Sequence, residues 1–346
     1  MASLGANLQH EGDLGDRKGV AMGKPTWTIR LAIILLLASG AMFTQSPRIM
    51  AQTAETQCAS SVPGSQACGY ANTGSDAISS GSESEATASA GSNQNDWVRA
   101  WMRKVDEARA SQPHFVSPIV TTHVMLVQQY RFDMSRQQDP AGGTVTSNYG
   151  ASHGLEIIST TRLEVGVFQP PYLVHQSNLP DGFGDFSFQV KYRAFSAPEG
   201  QGDYFLGFFL GGLFPTGTPP NGVSHTVLSP TFAAAKGIGP WDIQTTIGAN
   251  LPASGANILG RTILFNTAVN YKIKGKIWPM LEQNSTFWSG GVLGGKKQVF
   301  LTPGLVLGGF PIAERLHLSV GAGVQIAVTQ FHQYNHRWIV SVRFPF

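Results

Sequence analysis

The stretch Gly184 to Ala194, GDFSFQVKYRA, constrains this chain most. Phe186, Phe188, Val190, Tyr192 and Ala194 occupy one set of alternate positions, and Asp185, Ser187, Gln189, Lys191 and Arg193 occupy the other. Side chains of a strand alternate faces with period two, so the segment has one wholly apolar face and one wholly polar face. A helix would scatter the same residues around its cylinder. The two faces can be addressed in two ways. In a soluble barrel or sandwich the apolar face turns inward. In a membrane barrel it meets lipid, and the charged face lines the lumen.

The rest of the chain decides between them. Charged residues make up 13% of the sequence, against about 25% in a typical soluble protein. Glycine is plentiful, with 40 residues, and aromatics reach 10%, which suits many strands and turns. The net charge of +3 comes without a basic stripe, so nucleic acid is not an expected partner.

Taken in order, residues 1–51 read as an export signal. Arg17, Lys18, Lys24 and Arg30 precede the short apolar run Leu31 to Phe43, and small residues follow it. The run is too short to span a bilayer comfortably as a helix. Cleavage is expected after Ala51, with Ala54 the alternative, and Met22 is an alternative start. Residues 52–95 are rich in Ser, Gly, Ala and Thr and read as a flexible linker. Cys58 and Cys68 in it either close a small loop in an oxidising compartment or are incidental. Residues 96–112 read as an amphipathic helix with Trp97, Trp101, Val105 and Ala108 on one face. A plug in a barrel mouth, an interfacial helix and a partner-binding helix compete for its role, and the plug is the preferred reading.

From residue 116 onward, short alternating segments are separated by Gly/Pro/Asn/Ser loops. Twelve strands are expected, near 121–133, 153–160, 163–168, 184–195, 203–212, 226–235, 241–250, 262–273, 277–287, 298–307, 316–328 and 337–346. The first, third and fifth links are long and those between them short. Outer-membrane barrels show this asymmetry, with short periplasmic turns and long outer loops. The expected fold is therefore an all-β, antiparallel up-and-down transmembrane barrel preceded by a short helix. Pro230, Pro279 and Pro303 fall inside expected strands, where proline removes a ladder donor. Phe205 to Phe209 is apolar on both faces, which suggests packing from inside, by the helix near Trp97.

A polar inward face fits a wet or salt-bridged lumen. The expected lumen-lining residues are Arg131, Glu156, Glu164, Asp185, Gln189, Lys191, Arg193, Asn266, Glu282, Asn284 and Arg343. They either select small solutes, as rings of charge do, or form a salt-bridge network that keeps a narrow barrel closed. The ending RWIVSVRFPF places Trp338, Val340, Val342, Phe344 and Phe346 on one face. Phe344 and Phe346 resemble the signal that barrels present to their assembly machinery.

The segments DGFGDFSFQVKYR (181–193), PTGTPPNG (215–222), GKKQ before FLTPG (295–304) and the closing SVRFPF resemble outer-membrane transporters of the family tied to the meta-pathway of phenol degradation. The resemblance covers roughly residues 95–346. It implies an outer-membrane barrel that takes a solute. With the export signal, loop parity and terminal Phe346, the expectation is a monomer in the outer membrane of a Gram-negative bacterium, with lipids, assembly machinery and a small solute as partners. The resemblance brings no catalytic residue and no cofactor.

No chemistry-bearing motif competes. His332 and His336 are two ligands, too few for a structural zinc site, and no metal is expected. An outer-membrane lipid hydrolase would need Ser, His and an orienting group; His153, His317, Ser319 and Ser341 exist but stand in no nucleophile motif. Gly321-Ala322-Gly323 sits within strand sequence and reads as close packing or curvature rather than a nucleotide loop. A non-enzymatic barrel for small, hydrophobic or aromatic solutes is the leading expectation, with a lipid hydrolase or a closed structural barrel as alternatives.

Overall fold

A computed structural model describes residues 90–140, 144–150 and 153–346. The expected export signal, most of the linker and both cysteines lie outside the described residues.

Fifteen strands form one antiparallel sheet. They are β1 (Gln129–Gln138), β2 (Val145–Tyr149), β3 (Gly154–Thr160), β4 (Leu163–Phe168), β5 (Tyr172–His175), β6 (Gly182–Phe183), β7 (Phe186–Ala197), β8 (Tyr204–Phe214), β9 (Val227–Ile238), β10 (Trp241–Pro252), β11 (Arg261–Tyr271), β12 (Ile277–Ser289), β13 (Lys297–Pro311), β14 (His317–Ala327) and β15 (His336–Pro345). Helix α1 spans Ala90–Ala110 and the short α2 spans Ala256–Leu259. Pairing of β15 with β1 closes a 12-stranded barrel, and β2, β5 and β6 extend its wall at one end. β1 meets β3 over two residue pairs near its start, then pairs with β2 along its second half.

Closure follows from the alternation. A closed sheet satisfies every strand edge, which lipid requires. Outward positions carry a continuous apolar belt, including Tyr192, Phe208, Phe232, Ile247, Phe265, Leu281, Leu305 and Trp338, all exposed. In water such a patch would be a liability, and in a bilayer it is the contact surface. On β7, Tyr192 is 44% exposed while Lys191 beside it is 1% exposed, so the strand's apolar face points out. The barrel is thus a membrane-spanning one. Among the described residues no helix is long and apolar enough to cross a membrane; the crossing is made by strands.

The connections alternate as expected. Thr161-Arg162, residues 198–203, 239–240, 272–276 and 312–316 form one end, and longer loops, some carrying β2, β5, β6 and α2, form the other. The three strand prolines sit where a ladder lapses. The β9–β10 register passes over Pro230, the β11–β12 register stops short of Pro279, and the β13–β14 register passes over Pro303. The missing N–H therefore breaks no ladder bond at those sites.

The first expected strand differs most, and β2, β5 and β6 are unexpected. β1 begins at Gln129, so residues 121–128 are not wall. The segment from Ser111 to Gln128 runs inside the barrel as a strap. Helix α1 also begins at Ala90, earlier than the expected 96.

Candidate functional site

The strap and α1 occupy the short-turn half of the lumen. Helix α1 packs across that end: Val105 and Ala108 are fully buried against Ile158, Phe205, Phe209, Ala233 and Ala235. This explains why β8 is apolar on both faces. Polar contacts fix the same helix. Trp101 Nε1 donates to the Ile158 carbonyl at 2.7 Å, and Arg193 donates to the carbonyls of Ala108, at 2.8 Å, and of Thr161. Arg109 donates to the carbonyls of Gln128 and Phe346. On the rim, Arg315 pairs with Asp106. That hydrogen bond holds the exposed Asp106 carboxyl below its ordinary value.

Beyond α1 the strap enters the lumen and returns. Its base is closed by Gln112, which donates to the Leu126 carbonyl at 2.6 Å and accepts from the Leu126 N–H at 3.1 Å. Its apolar residues make two buried clusters. Val124, Met125 and Leu126 join the cluster under α1, and Ile119 packs with Met280, Val306 and Ile339. Burial of each such side chain contributes about 1.5–3 kcal/mol. The glycines of β13 and β14 make the second cluster possible. A Cβ on Gly304 would stand 2.5 Å from Ile119 Cδ1, and one on Gly323 at 3.1 Å. The Gly321-Ala322-Gly323 run is accordingly a socket for the strap tip.

Wall charges hold the backbone of that tip. Glu282 accepts from three successive amides, Ile119 at 2.7 Å, Val120 at 3.1 Å and Thr121 at 2.6 Å. Arg131 donates to the carbonyls of Pro118 at 3.1 Å and Ile119 at 2.6 Å, and Arg343 to those of Ser117 and Pro118. A segment without its own ladder needs partners for its backbone groups, because a buried orphan is costly. Here the carboxylate takes the amide side and the two guanidinium groups take the carbonyl side. Arg131 is balanced by Asp133 at 2.7 Å.

The other expected lumen charges cluster lower on the strand order. Lys191 lies 3.0 Å from Glu156 and 2.8 Å from Glu164. Glu164 also accepts from the Val127 N–H, and Glu156 from Gln129. These groups are buried, with one ammonium set between two carboxylates that take further hydrogen bonds from Val127 and Gln129. Asn284 donates to Thr121 on the strap and to Asn266, and its Oδ1 accepts from Gln325 at 3.0 Å. Tyr334 and Arg337 both donate to Gln325 Oε1 at 2.6 Å.

Above the strap the lumen changes character. Ser187, Gln189, Ser229, Thr231, Asn250 and Asn266 point inward and are partly exposed. They offer hydroxyls and amides, and Arg337 supplies charge above them.

Asp185 departs from expectation. It precedes β7 and is committed to a loop rather than to Lys191. Its carboxylate accepts from the N–H of Gly217 at 2.8 Å and of Val223 at 2.6 Å, clasping the 215–226 loop. Cβ atoms on Gly217 and Gly222 would stand 2.9 and 2.5 Å from its Oδ1, so both positions must be glycine-sized. Asn221 extends the clasp, donating to Pro180 and accepting at 2.6 Å from His175. Phe344 is on the outward face of β15, and Phe346 stands one residue past its end.

Sequence reasoning missed the strap, and with it Gln112, Ser117 and Thr121. The available signal was Pro113 and Pro118 flanking a run that has neither period two nor period 3.6.

The fold and the plug can now be set beside known proteins. No curated protein matches the chain by sequence. Among solved structures, an outer membrane channel from Pseudomonas putida F1 aligns at 13% identity, over 67% of this chain and 100% of its own, with a TM-score of 0.44. The NanC porin aligns at 7% identity over 62% of this chain and 98% of its own, with a TM-score of 0.41. The translocator domain of the autotransporter NalP from Neisseria meningitidis aligns at 11% identity over 75% and 98%, with a TM-score of 0.38. A family model described as "Putative MetA-pathway of phenol degradation" matches residues 142–340, more than half of the chain, and the chain belongs to that family.

Proposed function

We propose that this protein is an outer-membrane channel for small solutes whose lumen is held shut by its own strap and carries out no reaction. The observation that supports this most is what closes the barrel. Wall side chains alone fill eight-stranded barrels, and twelve strands enclose more space. Here the extra space is filled by a non-wall segment, and the inward residues above it are polar and partly exposed. A segment held by side chains can leave without the wall unfolding.

On this reading the expected lumen charges serve the strap rather than the solute. Glu282, Arg131 and Arg343 bind its backbone, while Glu156, Glu164 and Lys191 fix its return. Solute contacts fall to Gln189, Thr231, Asn250 and Asn266. The family's link to phenol degradation favours apolar or aromatic solutes. Export by a cleaved signal, monomeric assembly and recognition of Phe344 and Phe346 by the assembly machinery belong to the same proposal.

The permanently closed barrel is the second reading, and the buried strap is what favours it. Uptake into proteoliposomes of the full chain decides between them. A small aromatic solute should accumulate faster than in protein-free vesicles. Identical rates would leave the closed barrel standing. Phospholipid hydrolysis by the purified barrel, abolished by changing one serine, would instead establish the hydrolase.

A further inference from the structure

A cavity of about 280 Å³ opens at the short-turn rim, between the foot of the strap and the β7–β8, β9–β10 and β11–β12 turns. Phe115 and Trp278 form apolar wall, and Glu199, Asp203 and Asp242 bring carboxylates, with Lys272 the lysine among them. The charges do not match. Lys272 stands 3.7 Å from Glu199, and neighbouring Lys236 gives its ammonium to the Gly202 carbonyl. Lys236 and His114 also act on Asp203, and neither Asp203 nor Asp242 has an ion pair among the described residues.

Asp242 is 5% exposed. Its Oδ1 accepts from Gln244 Nε2 at 2.9 Å and Asn270 Nδ2 at 2.6 Å, which orients the carboxylate. Its Oδ2 has no hydrogen bond or ion pair among the described residues, and the side chain lines the cavity. Asp203 Oδ1 is also buried with no hydrogen-bond partner among the described residues. Burial, and then the charge of Glu199, hold the Asp203 carboxyl above its ordinary value against the pull of Lys236, Lys272 and His114. A buried carboxylate oxygen without a donor is costly, and Asp203 Oδ1 beside the undonated Oδ2 of Asp242 fits a ligand that brings charge and N–H groups.

We infer that this cavity binds a small organic cation, a one-ring primary ammonium, with Asp242 and Asp203 facing its charge. Trp278 and Phe115 meet its apolar body, and aromatic faces attract cations further. The volume lies just below the roughly 300–1,000 Å³ of pockets for drug-sized ligands, which suits a single ring. A bare metal ion fits worse, because rings rather than oxygens form the facing wall. The inference stands apart from the channel proposal, since the site lies at the rim and needs no open lumen.

The test is calorimetric titration of the full chain at neutral pH, in non-ionic detergent, with benzylamine, which is protonated there, and with benzyl alcohol as the uncharged counterpart. The ammonium should bind saturably and at least about tenfold more tightly than the alcohol. Asp242→Asn should weaken it at least about tenfold, and Asp203→Asn about threefold to tenfold, in barrels that still show a heat-modifiable gel shift. If Asp242→Asn does not fold, Asp203→Asn and Trp278→Leu decide. No saturable heat, equal affinity for the alcohol, or unchanged affinity in the folded variants overturns the site. None of these results depends on conductance, so failure of the channel reading would be seen separately.

Discussion

The two halves of the lumen are built from the same twelve strands and do different work. In the short-turn half, charged wall groups are buried and committed: Glu282 to three strap amides, Arg131 and Arg343 to strap carbonyls, Lys191 to Glu156 and Glu164. In the long-loop half, Ser187, Gln189, Thr231 and Asn250 are neutral and partly exposed. A charged row inside a barrel is therefore weak evidence for a solute path. It can equally mark where a segment lacking its own hydrogen-bond ladder is held. The solute-facing half is the chemically milder one.

The sharpest way to break this comparison is Glu282→Ala. It strands three buried amides, each costing about 1–3 kcal/mol if the strap stays. Strap release would let water meet them, so the variant should remain a folded barrel with a displaced strap. Protease should then cut between Ser111 and Gln128 in the variant and spare that segment in the parent. Equal protection would mean that the apolar clusters alone hold it.

The two faces of β7 give the next effect. Val190→Arg should block membrane assembly, at about 2–4 kcal/mol near the midplane. Gln189→Arg, one residue away and in the neutral half, should assemble normally. A heat-modifiable gel shift reads both, and the reverse outcome would put the apolar face inward.

Those faces were legible because period two survives any twist of the sheet. Loop parity was legible for a related reason, since an up-and-down barrel alternates its ends. The strap was not. Residues 121–128 hold a valine, a methionine and a leucine in a row, buried on all sides, and no period marks a strap whose tip finds its partner, Glu282, 161 to 163 residues away. Its β-branched run merged in sequence with β1. Asp185 misled for another reason. It continues the polar alternation of β7, but the ladder ends at Phe186 and the 215–226 loop claims its carboxylate. The resemblance segments DGFGD and PTGTPPNG prove to be the two sides of that clasp, so they report loop architecture rather than a solute site.

Asp185→Ala sharpens the contrast from the open end. It orphans the Gly217 and Val223 amides, costing about 1–3 kcal/mol where they stay buried. The 215–226 loop should become protease-sensitive while the strap stays protected. The smallest effect is expected at the rim. Asp106→Asn removes a surface pair with Arg315, worth about 0–1 kcal/mol. Because Arg315 lowers the Asp106 pKa, that contribution is complete above the ordinary carboxylate range and is lost as pH falls through the lowered value. Thermal melts of parent and variant should therefore differ slightly at neutral pH and coincide in strong acid.

The central claim is that a removable strap closes an otherwise passable barrel. Single-channel conductance in planar bilayers, comparing the full chain with one that begins at Val127, tests it most directly. The full chain should open only briefly, and the shortened barrel should show steady conductance. A shortened barrel that folds, inserts and stays silent would contradict the account.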